Sequence, residues 1–345
     1  MDLTELFYEL PESLIAAFPS RERHASRLLV VRRSTGEMIH SVFSELPNFL
    51  APGDLLVLND TKVFPARLRG QKESGGKVEV LLVEKFPAAQ NLWIAMIDAA
   101  KKPRLGSRVL FGQHLTAQVT GDLGRGRFGL EFHHDGDFGE LLETIGEAPL
   151  PPYIRRHREA AVMDGERYQT VYATHPGAMA APTAGFHFTP ELFEKLRAGG
   201  INRALLTLHV GPGTFQPVRE KRIEHHRMEG ERYRLTAETA ERIARAKQAG
   251  GRVVAVGSTS TRTLEWIARR KGRVEADEGI ARLYIRPGDR FRIIDALITN
   301  FHLPGSTPLI LVAAFAGLEL VRRAYAEAIK ERYRFYSYGD AMLIL

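Results

Sequence analysis

The stretch GAMAAPTAGFHFTPELFEKLRAGGINRALLTLHVGPGTF, residues 177–215, sets the architecture. Its middle, TPELFEKLRAGG, carries the punctuation of a short helix: Thr189 as N-cap, Pro190 at the first helical position, Glu191 in the positive first turn, and a stop at Gly199 and Gly200. RALLTLHV then is apolar and branched and closes on Gly211, Pro212 and Gly213, so it reads as a buried strand running into a loop. The unit is loop, helix, strand, loop, as in an α/β sheet. Both loops mix small residues with a Thr, a Phe and a His: Thr183, Gly185, Phe186 and His187 in the first, His209, Gly213, Thr214 and Phe215 in the second. Glycines let a backbone approach a ligand closely, and loops at strand ends are where α/β proteins keep their sites. The competing reading makes Pro182, Gly185, Pro212 and Gly213 turn punctuation and the histidines core residues. Two such loops joined by one αβ unit favour a site.

Upstream, DLLVLND (54–60) is a continuous apolar run that predicts a strand buried on both faces, with Asn59, Asp60, Thr61 and Lys62 at its ligand-favoured C-terminal end. An Asx turn at Asp60 explains the same residues equally well. RLLVVRR (27–33) reads as an earlier strand. From Arg67 onward KVEVLLVE, NLWIAMID, SRVLFG, LTAQVTG and RFGLEF arrive at short spacing, the pattern of a small β-barrel. GRGRFG (124–129) matches the GxGxxG fingerprint but lies between two β runs, without the helix N-terminus that holds a pyrophosphate, so it reads as a hairpin turn.

FGELLETIG (138–146) predicts a helix and PPYIRRHR (151–158) a return linker, after which α/β alternation resumes. TAETAERIARAKQAG (236–250) is helical, with i,i+4 pairs Glu238–Arg242 and Glu241–Arg245; RVVAVG (252–257) is a buried strand and STSTRTLEWIAR (258–269) the helix behind it. The expected fold is a large mixed α/β domain, residues 1–66 plus 153–345, with a small β-barrel domain, residues 67–152, inserted in it.

Three further segments carry chemistry. GSTSTR (257–262) puts Ser258, Thr259 and Arg262 where a strand gives way to a helix, an arrangement suited to a carboxylate or phosphate; N-capping alone explains one hydroxyl, not four. ALITNFHLPGSTP (296–308) ends a strand with Asn300, Phe301 and His302, and YRFYSYGDAMLIL (333–345) sets four aromatics before Gly339 and Asp340. PPYIRRHR places Tyr153 beside Arg155, Arg156 and Arg158, the basic cluster best suited to a nucleic-acid backbone.

Composition bounds the rest. The 345 residues are 44% hydrophobic and 26% charged, ordinary for a globular chain, and 48 basic minus 41 acidic side chains leave +7. There is no cysteine, which removes disulfides, thiolate nucleophiles and zinc ribbons. Asp2, Glu5 and Glu9 stand where a signal peptide would be basic then apolar, and the longest apolar run, Leu309 to Ala316, is too short to span a bilayer. A cytoplasmic protein that does not enter a membrane is expected.

NDTKVFPARL, GGKVEVLL, PPYI, ERYQTVYA, GAMAAPTAGFHFT, LHVGPGTFQPV, VGSTSTRTLEW, LITNFHLPGSTPLILVAAFAG and YRFYSYGDAM, in this order along almost the whole chain, resemble the S-adenosylmethionine:tRNA ribosyltransferase-isomerases of queuosine biosynthesis. The resemblance implies a large α/β domain carrying a small β-barrel. It also implies the reaction: the ribosyl part of S-adenosylmethionine moves onto 7-aminomethyl-7-deazaguanine at the tRNA wobble position and rearranges to the epoxycyclopentane of epoxyqueuosine, releasing adenine and methionine. S-adenosylmethionine is then a consumed substrate, no other cofactor or metal is expected, the tRNA anticodon loop is the partner, and the protein is expected to act as a monomer. Where the family shows His-Ser-Glu after a Met, this chain has Glu229, Gly230 and Glu231, so any role of that histidine is vacant or falls to His225 or His226.

For this chemistry the sulfonium supplies the activation; the protein must supply a base, an acid for departing adenine, and dryness. With an ordinary pKa of about 6.5, His187, His209 and His302 are the natural proton carriers, with Asp60 or Asp340 as rivals. Phe186, Phe215 or Tyr336 suit the cationic sulfur, the GSTSTR turn with Arg262 the methionine carboxylate. Asn59, Thr183, Gly185, Gly213, Thr214 and Asn300 complete the expected S-adenosylmethionine site. A non-catalytic RNA-binding protein and a Ser/His hydrolase are the alternatives; the first leaves two His- and Gly-rich loops unexplained, and the second lacks a GxSxG elbow.

Overall fold

The computed structural model describes residues 1–86, 91–124, 126–149, 167–211, 213 and 218–345. The chain opens with β1 (Arg27–Val31) and β2 (Met38–Val42), then β3 (Leu55–Asn59) and β4 (Thr61–Val63). Next come β5 (Arg67–Lys72), β6 (Lys77–Lys85), β7 (Leu92–Asp98), β8 (Arg108–Leu110), β9 (Leu115–Gly124), β10 (Arg127–His134) and α1 (Phe138–Ile145). After them stand β11 (His175–Ala178), α2 (Pro190–Ala198), β12 (Asn202–Leu208), β13 (Glu231–Leu235), α3 (Ala237–Gln248), β14 (Val253–Val256) and α4 (Gly257–Lys271). β15 (Asp277–Ala281), β16 (Ala296–Asn300), α5 (Thr307–Ala316), α6 (Leu318–Lys330) and β17 (Ala341–Ile344) complete the chain.

Nine of the described strands form one mixed sheet in the order β15-β13-β12-β3-β14-β16-β17-β1-β2. Its centre is parallel, β12 beside β3, β3 beside β14, β14 beside β16, and these four strands contain the apolar runs singled out in the sequence. Both faces of β3, β14 and β16 are buried, one under Leu264, Ile267 and Ile310 and the other under Phe43, Phe188 and Leu192, which is why these strands show no polar alternation. β5 to β10 close a separate antiparallel barrel in the order β10-β7-β6-β5-β8-β9, filled by Leu68, Val80, Val109, Leu130 and Phe132. The fold is therefore mixed α/β with a small β-barrel.

Local chemistry explains the boundaries. Thr189 accepts a hydrogen bond from the Leu192 N–H and Pro190 opens α2, as the sequence predicts. Gly124 and Gly126, both left-handed at φ 77°, bracket the β9–β10 hairpin that bears the GxGxxG match. Glu238–Arg242 and Glu241–Arg245 pair at 2.7 and 2.9 Å along α3. Seven described strands lie outside the sequence expectations: β2, β4, β5, β11, β13, β15 and β17. β13, ERYRL, alternates buried with charged residues, and β2, β5 and β15 are mostly part-buried or exposed, so these runs lack the apolar density that marks β3.

Candidate active site

The two loops of the 177–215 stretch do meet. Ala180 pairs with Val210 as an isolated antiparallel bridge, the Met179 N–H donates to the Val210 carbonyl at 3.0 Å, and Gly177 lies against the His209 ring. A Cβ at Gly177 would sit 2.9 Å from His209 Nδ1, at a φ of 145° that only glycine adopts readily. What forms around this junction is two adjoining cavities rather than one cleft, and Val210 lines both.

The smaller, of about 290 Å³, gathers Thr183, Ser258, Thr259, Asn300, His302 and Tyr336. It opens at the N-terminus of the fifteen-residue α4, which Val256 precedes without any side-chain cap. Thr259 Oγ1 is buried with no partner among the described residues. Uncapped N–H groups, a positive helix end and a spare hydroxyl together make an anion cradle. Thr183 donates to Asn300 Oδ1 at 3.0 Å, and Thr299 Oγ1 lies 2.7 Å from His302 Nε2. Tyr336 is held at a left-handed φ of 78°, its N–H donating to the Phe301 carbonyl at 2.9 Å, a strained backbone of the kind found at ligand sites.

The larger cavity, of about 1130 Å³, lies between barrel and sheet. The barrel side gives Phe64, Trp93, Arg127 and Phe138; the sheet side gives His209, Gly213, Glu229 and Glu231. Two ion pairs cross it, Arg127 with Glu229 and Arg232 with Glu84, the latter at 2.9 Å. His209 Nδ1 lies 2.8 Å from Thr61 Oγ1. Burial, then the Arg232 and His175 charges, lower its pKa, with Asp60 pulling the other way.

Several expected residues sit behind these walls. His187 lines neither cavity: its Nδ1 lies 2.7 Å from Ser26 Oγ, and its Nε2 accepts from Asn300 Nδ2 at 3.2 Å. Phe186 is buried against Tyr168 and Tyr338, and Gly185 is pressed on Tyr172, whose hydroxyl would stand 2.0 Å from an added Cβ. Asn59 is spent on the chain itself, bonding both the carbonyl and N–H of Leu208 at 2.9 Å and the Thr61 N–H at 3.1 Å. Asp60 accepts from Thr207 at 2.6 Å and pairs with His175 at 3.1 Å. Asp340 caps the N–H groups of Arg27 and Arg334.

Arg262 points away from the small cavity, into a buried ion pair with Glu231 and a 3.1 Å bond to the Leu283 carbonyl. His225 and His226 line neither cavity. Thr214, Phe215, Tyr153, Arg155, Arg156 and Arg158 lie outside the described residues. The sequence reading missed Trp93, Arg127, Glu84 and the pairing of His175 with Asp60; nothing in a barrel strand signals which residues will face another sheet.

Desolvation lowers the pKa of His187 and His302 to about 3 each, so both are neutral in the folded protein. The unfolded chain protonates these rings at about 6.5, hence binds more protons between about pH 6.5 and 3, and stability falls as pH drops through that window. The expected slope is about 1.4 kcal/mol per pH unit for each histidine. His302→Gln, able to keep the Thr299 bond, should show a shallower fall of Tm with acidification than the parent; equal slopes would remove His302 burial as a cause.

Comparison with known proteins settles the family. The family described as "Queuosine biosynthesis protein" matches residues 3–344. The chain belongs to this family. Relatives named S-adenosylmethionine:tRNA ribosyltransferase-isomerase are 51% identical in Pelobacter propionicus and 48% identical in Caldanaerobacter subterraneus subsp. tengcongensis, each alignment covering 100% of both chains. The crystal structure of S-adenosylmethionine tRNA ribosyltransferase from Thermotoga maritima is similar with a TM-score of 0.55 and 37% identity, over 99% of this chain and 100% of that one. This queuosine biosynthesis family member has, among its described residues, no helix long and apolar enough to cross a membrane and no group of three or more His, Asp or Glu placed to hold a metal ion.

Proposed function

We propose that this member of the queuosine biosynthesis family transfers the ribosyl moiety of S-adenosylmethionine to the aminomethyl group of 7-aminomethyl-7-deazaguanine in tRNA and isomerises it, releasing adenine and methionine. The observation that carries the reading is the pair of adjoining cavities meeting at Val210. A transfer between two substrates needs two sites whose reacting atoms meet at a shared wall.

The small cavity takes the amino-acid end of S-adenosylmethionine. Its carboxylate seats at the N-terminus of α4 with the Thr259 hydroxyl, and Arg262, committed to Glu231, takes no part. Tyr336 offers a ring to the sulfonium. Thr183 and Asn300 form the opposite wall, with His187 holding Asn300 from behind. The sulfonium makes the neighbouring ribose carbon acidic; His209, neutral and on the larger cavity, takes that proton. His302, kept neutral by burial and bonded to Thr299, lines the small cavity as part of its wall, and Asp60 acts through His175 and Thr207. The reaction consumes S-adenosylmethionine and calls on no resident cofactor. The protein is proposed to act on tRNA as a monomer in the cytoplasm.

Labelled S-adenosylmethionine incubated with precursor tRNA should yield free adenine; its absence would overturn the assignment. The anticodon arm needs basic side chains, and Tyr153, Arg155, Arg156 and Arg158, which follow residues 67–152 in the sequence, are proposed to meet it. Reversing the three arginines to Glu should weaken tRNA binding and flatten its salt dependence by about 0.7 log units per log unit of salt for each phosphate no longer neutralised. Unchanged affinity and slope would place the RNA elsewhere.

A further inference from the structure

The larger cavity combines two features that the sulfonium substrate alone does not account for. On the barrel side Phe64, Trp93 and Phe138 form a ladder, Trp93 lying 5.8 Å from each neighbour with interplanar angles of 38° and 37°. The Trp93 indole N–H has no partner among the described residues. On the sheet side stand two carboxylates of different standing. Glu231 is committed, to Arg262 and to the Gly211 N–H at 3.1 Å, and is buried. Glu229 is about 30% exposed, and its described partner is a single guanidinium, Arg127, brought from the barrel. An aromatic platform with a partly open carboxylate and one exchangeable cation is suited to a planar ring bearing a positive charge.

We infer that Glu229 is a specificity-determining residue: it takes the primary ammonium of the aminomethyl group while the wobble base, flipped from its single-stranded loop, stacks on the ladder around Trp93. Arg127 occupies the carboxylate until the substrate cation displaces it. The inference rests on the function proposed above and names the residues that read the modified base. A base in an anticodon loop is unpaired, so extruding it costs little, and stacking holds any base; the charge on the aminomethyl group is what separates this base from guanine. Glu229, not the ladder, therefore supplies discrimination.

The test uses the full-length protein, S-adenosylmethionine, and two transcripts of one tRNA carrying either 7-aminomethyl-7-deazaguanine or guanine at the wobble position. The parent should bind the aminomethyl tRNA about tenfold or more tighter than the guanine form, the size of one charge-assisted hydrogen bond. Glu229→Gln should erase that preference and raise KM for tRNA while leaving KM for S-adenosylmethionine unchanged. Arg127→Gln removes the same ion pair but keeps the carboxylate, so it should retain the preference. If both variants lose it equally, the pair is only a strut between barrel and sheet and the inference fails. It fails also if Glu229→Gln keeps the preference, or if KM for S-adenosylmethionine rises instead, which would place the sulfonium at Glu229. Release of adenine by the parent checks the underlying function separately, since it involves neither variant.

Discussion

His209→Ala should slow single-turnover adenine release by about 10²- to 10⁴-fold, the usual contribution of a positioned general base. Of the three candidate histidines, His209 alone lines the larger cavity. Thr61 engages its Nδ1, and no described residue engages Nε2. His187, by contrast, has both ring nitrogens occupied by Ser26 and Asn300, and its pKa of about 3 makes it a weak base at neutral pH. His209 is shifted downward too, first by burial and then by Arg232 and His175, so it is uncharged and able to accept a proton at pH 7. Activity of the parent should hold from about pH 8 to 6.5 and decline only below, as the ring protonates. His209→Ala should lose that acid limb along with the rate. His187→Gln should keep the limb and act only through the placing of Asn300. Adenine release by His209→Ala within a few-fold of the parent would take the base role from His209.

Arg262→Ala should destabilise the fold by about 3–5 kcal/mol, the cost of stranding a buried carboxylate. Arg262 and Glu231 are 3% and 4% exposed as whole residues, and both are bonded further, Arg262 Nε donating to the Leu283 carbonyl and the Gly211 N–H donating to Glu231 Oε1. The pair thus ties α4 to β13 and fixes the loop after β12 on which His209 stands. Removing the arginine leaves Glu231 without its cation in a dry place. Converting both residues to uncharged isosteres, Glu231→Gln with Arg262→Met, removes the stranded charge and should recover much of the loss. Thermal unfolding of the parent, the single and the double variant reads this directly. If Arg262→Ala and the double variant unfold together at the parent's temperature, the pair is not the buried tie described here. Activity should fall with the single variant as well, because the Gly211 loop loses its anchor.

How much of this was legible beforehand follows from what each signal encodes. β3, β14 and β16 were readable because burial on two faces demands unbroken apolar runs, and α2 because its cap and proline are local chemistry. The barrel was readable from strand spacing, although β5, RLRGQK, was not, since its outward residues are polar and Gly70 presses on Phe111 and the Leu110 carbonyl in place of a side chain. Residue types at the site were readable in the same way: His209, His302, Thr183, Ser258, Thr259 and Asn300 all reach a cavity wall. Their orientation was not. His187 and His209 stand in loops of the same composition, yet one ring turns into the packing below Asn300 and the other, half-buried, lines the larger cavity.

The buried parallel strands, the capped helix α2 and the chemistry on offer were already specified by the linear chain, because helix caps, apolar runs and glycine turns act over a few neighbouring residues. Which of those groups face a ligand was left to tertiary packing. Trp93, Arg127 and Glu84 stand on barrel strands, while Glu229 and Arg232 are about a hundred residues or more away in sequence, and they share a cavity because the closed barrel is held against the sheet. Arg262 shows the same limit: its helix start was plain in the sequence, but a buried charge goes to the nearest counter-charge, and Glu231 is brought there by the pairing of β12 with β13.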